Sequence, residues 1–240
     1  MQEKRTRQKE FSDGRLQAVI APVREGAFIA DIGCDHAYAV IELLRAGRIR
    51  GAVAADIRPG PLEHARRNVA RYGYGDKVTL LLTDGFDGVE VYRPEDVIIA
   101  GMGGETIMAI IEKAPYFKDP SVRLILQPMN YPERLRTYLC DRGFAIREES
   151  LAEAGGKIYQ ILTVHFEGET RKLSPITALL GDYNLQNRRE DPLFLRLVRE
   201  KIRMYEEITA GKTRANLDVT AEQALLCALR KLTEEREIHP

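Results

Sequence analysis

The spacing of apolar positions predicts an alternating α/β chain followed by a purely helical tail. Leu16, Val19 and Ile20 follow Ser12, Asp13 and Gly14 and predict a capped first helix, closed by Pro22 and Gly26. Residues 27–32 form a short apolar run that ends at Asp31 and Gly33, the pattern of a buried strand entering a tight turn. A helix is predicted over 37–46, with Val40, Ile41 and Leu44 on one face and Gly47 as its stop. The alternation then repeats. Strands are predicted at 52–55, 78–82, 97–100 and 123–126, and helices at 61–71, 105–113 and about 133–142.

Strands and helices alternating at this spacing specify a mostly parallel sheet covered on both faces. After residue 142 the pattern changes. Two strand-like runs, 144–152 and 157–166, are separated only by a turn through Ala154, Gly155 and Gly156, which predicts an antiparallel closing hairpin. From about residue 174 the apolar period is helical. Phe194, Val198, Ile202, Tyr205 and Ile208 recur at intervals of three or four, and Leu225, Ala228, Leu229 and Leu232 repeat the habit. Asp191-Pro192 and residues 218–220 are helix starts, with a turn over 211–216. The expected tail is a coiled-coil-like antiparallel helical hairpin. The expected organisation is a domain at 1–168 and a helical domain at 174–240.

Composition narrows the class. The chain has 240 residues, 44% apolar and 30% charged, enough for one full α/β domain and a small addition. No run approaches the ~18 apolar residues of a membrane helix. The basic start, MQEKRTRQKEF, is not followed by the apolar stretch of a signal peptide, so the expected compartment is the cytoplasm. The three cysteines, Cys34, Cys140 and Cys227, do not make a disulfide framework. Cys34 and His36 lie two apart, but no second close pair completes a metal site, and no metal is expected. Formal net charge is zero, which argues against nucleic-acid binding by bulk charge. Basic residues nevertheless outnumber acidic ones over 45–77, and over 188–214 they number eight against five. Such runs fit either solvated helix faces or a surface for a polyanion.

Ligands of open α/β sheets bind at the carboxyl ends of the strands. Asp31, Asp56, Asp84 and Gly101 fall at four successive predicted strand ends. In the first loop, Asp31 to Tyr38, Gly33 permits a sharp turn, but Asp35 stands where a phosphate-binding loop would carry a second glycine. A carboxylate there repels a pyrophosphate and suits a cationic centre such as a sulfonium or an α-amino group. That favours S-adenosylmethionine over a dinucleotide. Asp35 could equally cap the next helix, and both roles can hold together. Asp56 suits ribose hydroxyls. Asp84 suits an exocyclic amine, with Gly85 leaving room for a ring. Gly101, Met102 and Gly103, with Gly104, border the position of a transferred group. The polar-Pro-Pro-aromatic motif of many amino-methyltransferases is not there.

These motifs together resemble a known family, the bacterial tRNA (adenine(22)-N(1))-methyltransferases called TrmK. They are ADIGCDHAY at 30–38, GPLEHARRNV at 60–69, Asp84-Gly85, IAGMGG at 99–104 and LQPM at 126–129. The resemblance is strong over about 11–167 and looser beyond. It implies a class I, Rossmann-like methyltransferase sheet with a small C-terminal helical domain, S-adenosylmethionine as cofactor and tRNA as partner. Cofactor contacts are expected from Asp31, Gly33, Cys34, Asp35, His36, Asp56, Ile57, Asp84, Gly85, Gly101, Met102 and Gly103. Tyr38, Gln127, Met129, Asn130, Arg66 and Arg67 are candidates for the substrate side, and Asp35 is the candidate catalytic residue. The chain departs from the family pattern after Tyr38, where Ala39-Val40 replaces a Leu-Pro pair at the helix start. Oligomeric state stays open between monomer and weak dimer. A small-molecule methyltransferase, a nicotinamide dehydrogenase and a non-catalytic RNA-binding module remain the rival readings. The missing glycines and the closing hairpin speak against the dehydrogenase.

Overall fold

A computed structural model describes residues 14–234. They fall into two compact units that divide between Arg171 and Lys172. The expected capping residues Ser12 and Asp13 lie outside the described residues.

The first unit is built on a seven-stranded sheet. Its elements in chain order are α1 (Gly14–Ile20), β1 (Ala27–Ile32), α2 (Tyr38–Arg45), β2 (Ile49–Asp56), α3 (Pro59–Arg71), β3 (Val78–Leu82), β4 (Asp96–Met102), α4 (Gly104–Lys113), β5 (Arg123–Pro128), α5 (Pro132–Asp141), β6 (Phe144–Ala154) and β7 (Lys157–Phe166). The strand order is β3-β2-β1-β4-β5-β7-β6. Strands β1 to β5 are parallel, and the β6–β7 hairpin closes the edge with β7 antiparallel to β5. The order reverses between β1 and β4, so the crossovers leave a crevice above their carboxyl ends.

Strand alternation divides the core in two. Ile29, Ala52, Ala54, Ile98 and Ile125 pack with residues of α1, α2 and α3. Ala30, Ile32, Val53, Val97, Ile99, Leu124 and Leu126 pack on the other face with residues of α4 and α5. Both faces of the parallel strands are therefore buried, which explains their continuous apolar runs.

Strand β2 begins at Ile49, three residues before its apolar run. Ala27 pairs with Ile49 and Phe28 with Gly51, so the ladder skips the polar Arg50, which sits at an irregularity in the register. Its guanidinium escapes burial by binding Glu95 and the carbonyl of Gly26.

The second unit is helical: α6 (Pro175–Leu180), α7 (Asp182–Asn187), α8 (Pro192–Arg214) and α9 (Thr220–Glu234). Asp191 caps α8 by accepting from the Leu193 N–H at 2.8 Å, and Asp218 accepts from the Thr220 N–H at 3.0 Å. Ion pairs Glu206–Arg230 and Lys212–Glu222 join α8 to α9 and set them antiparallel. The turn expected at 211–216 starts late, because α8 runs through Gly211 to Arg214. Gly211 is tolerated inside the helix, where the Thr209 and Thr213 hydroxyls tie back to carbonyls one turn earlier. Ile208, expected in the helical interface, is 38% exposed. Helices α6 and α7 went unpredicted, since six residues each are too few to show a period.

Candidate cofactor cleft

The carboxyl ends of β1 to β4 open into a cleft of about 710 Å³. That is within the size range of small-ligand sites. Asp31, Gly33, Cys34, Asp35, His36 and Tyr38 line it from the first loop. Asp56, Ile57, Asp84, Gly85, Gly101 and Met102 line it from the next three strand ends.

Asp31 and Asp56 end adjacent strands and are both buried. The Asp56 carboxylate accepts from the Arg58 N–H at 2.9 Å. Among the described residues none donates a hydrogen bond to the Asp31 carboxylate. Burial, with the charge of Asp56 beside it, pushes the Asp31 carboxyl up to about 7. Burial likewise pushes the Cys34 thiol up, with Asp31 adding to the effect. Cys34 is therefore protonated and inert at neutral pH.

Gly33 makes the first turn possible. Its φ is +75°, and a Cβ there would run into the Met102 side chain. The β1 and β4 loops thus touch. Two further residues of the turn, Asp35 and Ala37, have φ of +45° and +57°. Left-handed non-glycine residues are costly and collect at functional turns. Asp35 does not cap the next helix: α2 starts at Tyr38, its N-cap is Ala37, and no side chain caps it. The Asp35 side chain is instead 61% exposed, 3.6 Å from Nε2 of His36. The His36 ring stacks between Tyr38 and His64, with centroids 5.1 and 5.0 Å away.

Several expected site residues lie elsewhere. Gly103, Gln127, Met129, Asn130, Arg66 and Arg67 do not line the cleft. Gln127 is fully buried, and its Oε1 accepts from the Gly101 N–H at 3.1 Å. Oδ1 of Asn130 accepts from the Gly104 N–H at 3.0 Å, and the Met129 N–H donates to the Met102 carbonyl at 2.7 Å. These three hold the Gly101–Gly104 turn from behind. Arg66 and Arg67 sit on exposed turns of α3 and pair with Glu63. The basic run at 45–77 does not form one face. Arg48 and Arg50 lie at the amino end of β2, bound to carbonyls and to Glu25 and Glu95, whereas α3 begins beyond its carboxyl end.

The structure also brings in residues that no motif indicated, among them Arg15, Arg58, Thr83, Thr106 and Lys113. Lys113 reaches the exposed Asp84 at 3.4 Å. Arg15 is a polar position of a short amphipathic helix, and nothing local to the sequence marks it. No group of three metal-ligating side chains exists among the described residues. No helix among them is long and apolar enough to cross a membrane.

Comparison with known proteins agrees with this geometry. Residues 12–162 match the family model described as a methyltransferase domain. The tRNA (adenine(22)-N(1))-methyltransferase of Bacillus subtilis is 34% identical over 148 residues, a stretch covering 62% of this chain and 62% of that relative. The match thus spans less than two thirds of that relative's length. The crystal structure of the B. subtilis M1A22 tRNA methyltransferase TrmK is 27% identical with a TM-score of 0.77, covering 93% of this chain and 97% of the other. A candidate tRNA (m1A22) methyltransferase of Streptococcus pneumoniae, solved in complex with S-adenosyl-L-methionine, is 32% identical with a TM-score of 0.78, covering 91% and 97%. The chain belongs to the methyltransferase-domain family, in the branch that holds the tRNA (adenine(22)-N(1))-methyltransferases.

Proposed function

We propose that the protein methylates N1 of the adenine at position 22 of tRNA, using S-adenosylmethionine. The observation that carries the reading is the cleft at four successive strand ends, with Asp31 buried in it and given no hydrogen-bond donor by the described residues. Such a carboxylate needs a cationic partner. A ligand with an α-ammonium supplies one, and a pyrophosphate does not. The relatives' described activity and the S-adenosyl-L-methionine complex of the S. pneumoniae protein support the same cofactor.

Bound there, S-adenosylmethionine supplies a methyl group on a positively charged sulfur. Asp31 accepts from the ammonium, and Asp56 accepts from the ribose hydroxyls. Asp84 accepts from the adenine amine, Gly85 leaves room for the ring, and the exposed Ile57 packs on it. Gly33 and Gly101 keep the strand ends clear of side chains. N1 of the target adenine carries its own lone pair, so attack requires no prior deprotonation. The protein's work is alignment and electrostatic support. To Asp35, exposed beside His36 on the rim of the cleft, we assign stabilisation of the cationic product base or acceptance of a proton from its N6.

N1 lies on the Watson–Crick edge, so the target must be unpaired or extruded. The Tyr38 side chain, 36% exposed at one end of the ring stack, is suited to meet it. Arg58, Arg66 and Arg67 and the exposed Arg199 and Arg203 of α8 supply the contacts to tRNA phosphates. Surface ion pairs such as Arg66–Glu63 are worth at most about 1 kcal/mol, so they yield readily to a phosphate.

The test is methyl transfer from labelled cofactor to unmodified bulk tRNA, with mapping of the modified base. Label at N1 of the adenine at position 22 is the expected result. No incorporation into tRNA would sink the reading. Cofactor binding without incorporation would favour a small-molecule acceptor.

A further inference from the structure

We propose that Tyr131, in the loop between β5 and α5, is a stacking platform for the nucleobase next to the target adenine in tRNA. The inference rests on the tRNA reading above and adds a base contact that reading does not contain.

Tyr131 is a residue the fold does not require. Its side chain is 50% exposed, and its φ is +51°. A bulky side chain in the left-handed region is rare and costs free energy, whereas asparagine or glycine takes such a turn readily. Tyr131 is the N-cap of α5 but makes no side-chain cap. Only its carbonyl accepts, from the Arg134 and Leu135 N–H groups, and any residue supplies that carbonyl. An aromatic ring that is neither buried nor capping, held at a backbone cost, points to a partner outside the chain.

The backbone under the ring is fixed. Oδ1 of Asn130 accepts from the Gly104 N–H, and a Cβ on Gly104 would lie 2.8 Å from the Asn130 carbonyl oxygen and 3.2 Å from that of Tyr131. The loop therefore packs directly on the start of α4. At its other end the Met129 N–H donates to the carbonyl of Met102, which lines the cleft. Tyr131 itself does not line the cleft, so it stands beside the cofactor site and outside it. Strand β4 pairs with β1 on one side and β5 on the other. The loops that carry Tyr38 and Tyr131 thus flank the Gly101–Gly104 turn, with an exposed tyrosine in each.

Arg134 lies over the Tyr131 ring, its guanidinium carbon 5.6 Å from the centroid, and pairs with the exposed Glu105 of α4. One face of the ring is occupied by a cation, and the exposed half of the side chain remains for a ligand. Extruding the target adenine deprives the neighbouring base of a stacking partner. An aromatic face restores that stacking whatever the base is, since every base has a π-face. The Arg134 charge suits the adjoining phosphate.

A purely structural role would be to shape the loop that holds the Gly103–Gly104 turn. The two roles separate on stability and on which ligand is affected. Tyr131→Asn relieves the backbone cost and removes the ring. It should melt at or above the wild-type temperature and bind S-adenosylmethionine within about twofold of wild type. It should bind an unmodified tRNA roughly 5- to 100-fold more weakly in gel shifts. Tyr131→Phe, which keeps the ring face, should stay within about threefold of wild type. Tyr131→Leu, which keeps the bulk and the backbone cost, should weaken tRNA binding as Tyr131→Asn does. Transcripts with either neighbour of the target made abasic identify the base. One of them should weaken wild-type binding by a similar factor and leave Tyr131→Asn unaffected. Unchanged tRNA affinity in Tyr131→Asn and Tyr131→Leu overturns the platform. Equal weakening of cofactor and tRNA overturns it too, as do abasic losses as large in the variant as in the wild type. A wild type that binds no tRNA overturns the tRNA reading itself. If Tyr131→Asn does not fold, Tyr131→Leu carries the same comparisons.

Discussion

Asp31 and Asp56 end neighbouring parallel strands as two buried carboxylates, and the charge of the second raises the pKa of the first. With Asp31 at about 7, the group is half-protonated near neutral pH in the empty protein. A bound ammonium favours its ionised form, so binding expels a proton wherever Asp31 was protonated. Cofactor affinity should therefore rise from pH 5.5 to 7, by up to about tenfold per unit, and level off above. Calorimetry in buffers of different ionisation enthalpy checks the proton release. Asp31→Asn should bind at least about tenfold more weakly and show no pH slope over that range. A wild type with a flat profile would separate Asp31 from the ligand.

The same pair has a consequence for stability. The folded-state pKa of Asp31 is raised above its ordinary value of 3.8. Folding therefore favours the protonated acid. This contribution is fully present below about pH 4 and is lost as pH rises through about 7. At pH 8 the ligand-free protein carries a buried charge to which no described residue donates. Asp31→Asn should raise the melting temperature of the ligand-free protein at pH 8 by several degrees, and by much less at pH 5. An equal effect at both values would show that the charge is not the cause.

The end of the Met102 side chain packs against Gly33. Gly33→Ala meets two penalties, the left-handed φ and a smaller one, displacement of the flexible end of Met102. The first alone is worth about 1 kcal/mol. The variant should melt lower and bind cofactor at least tenfold more weakly, read by thermal shift and calorimetry. Adding Met102→Ala removes the second penalty but not the backbone cost, so recovery should be partial. Full recovery in the double variant would show that φ carries no cost there.

The parallel strands are legible in the sequence because burial on both faces leaves continuous apolar runs, each ending in a polar residue or glycine. Their spacing alone assigns Asp31, Asp56, Asp84 and Gly101 to one cleft. The register that extends β2 back to Ile49 is not legible, because the strand accommodates the polar Arg50 at an irregularity in its pairing with β1, which no apolar pattern marks. The hydrogen bonds of Gln127 and Asn130 are not legible either. Both residues follow a strand end and carry amides, as a substrate contact would. Only the fold shows those amides turned to the N–H groups of Gly101 and Gly104. Arg15 lies 112 residues from Gln127 in sequence, and no local pattern encodes such a contact.

Asp35 tests the chemistry rather than the binding. Its side chain is exposed and caps no helix, and its φ of +45° is one that asparagine adopts readily. Asp35→Asn should therefore change the melting temperature by no more than a degree or two. Turnover on tRNA should fall by about a hundred- to ten-thousandfold, the scale of losing one positioned acid–base group. Near-wild-type turnover would remove Asp35 from the mechanism.

The last prediction concerns the C-terminal unit. A chain with zero net charge must hold a polyanion through local clusters. On α8 the exposed Arg199 and Arg203 recur at one-turn spacing. The link to the first unit, residues 167–174, carries no helix or strand, so a cut there interrupts no element. All residues that line the cleft precede it. Removing Ser174 to Pro240 should leave cofactor affinity within about twofold and weaken tRNA binding at least tenfold, measured by calorimetry and by gel shift. Arg199→Glu with Arg203→Glu in the full chain should weaken tRNA binding and reduce its salt dependence, because fewer counterions are released. If the truncated chain methylates tRNA at the wild-type rate, the helical unit serves another purpose, and the grip must lie on α3.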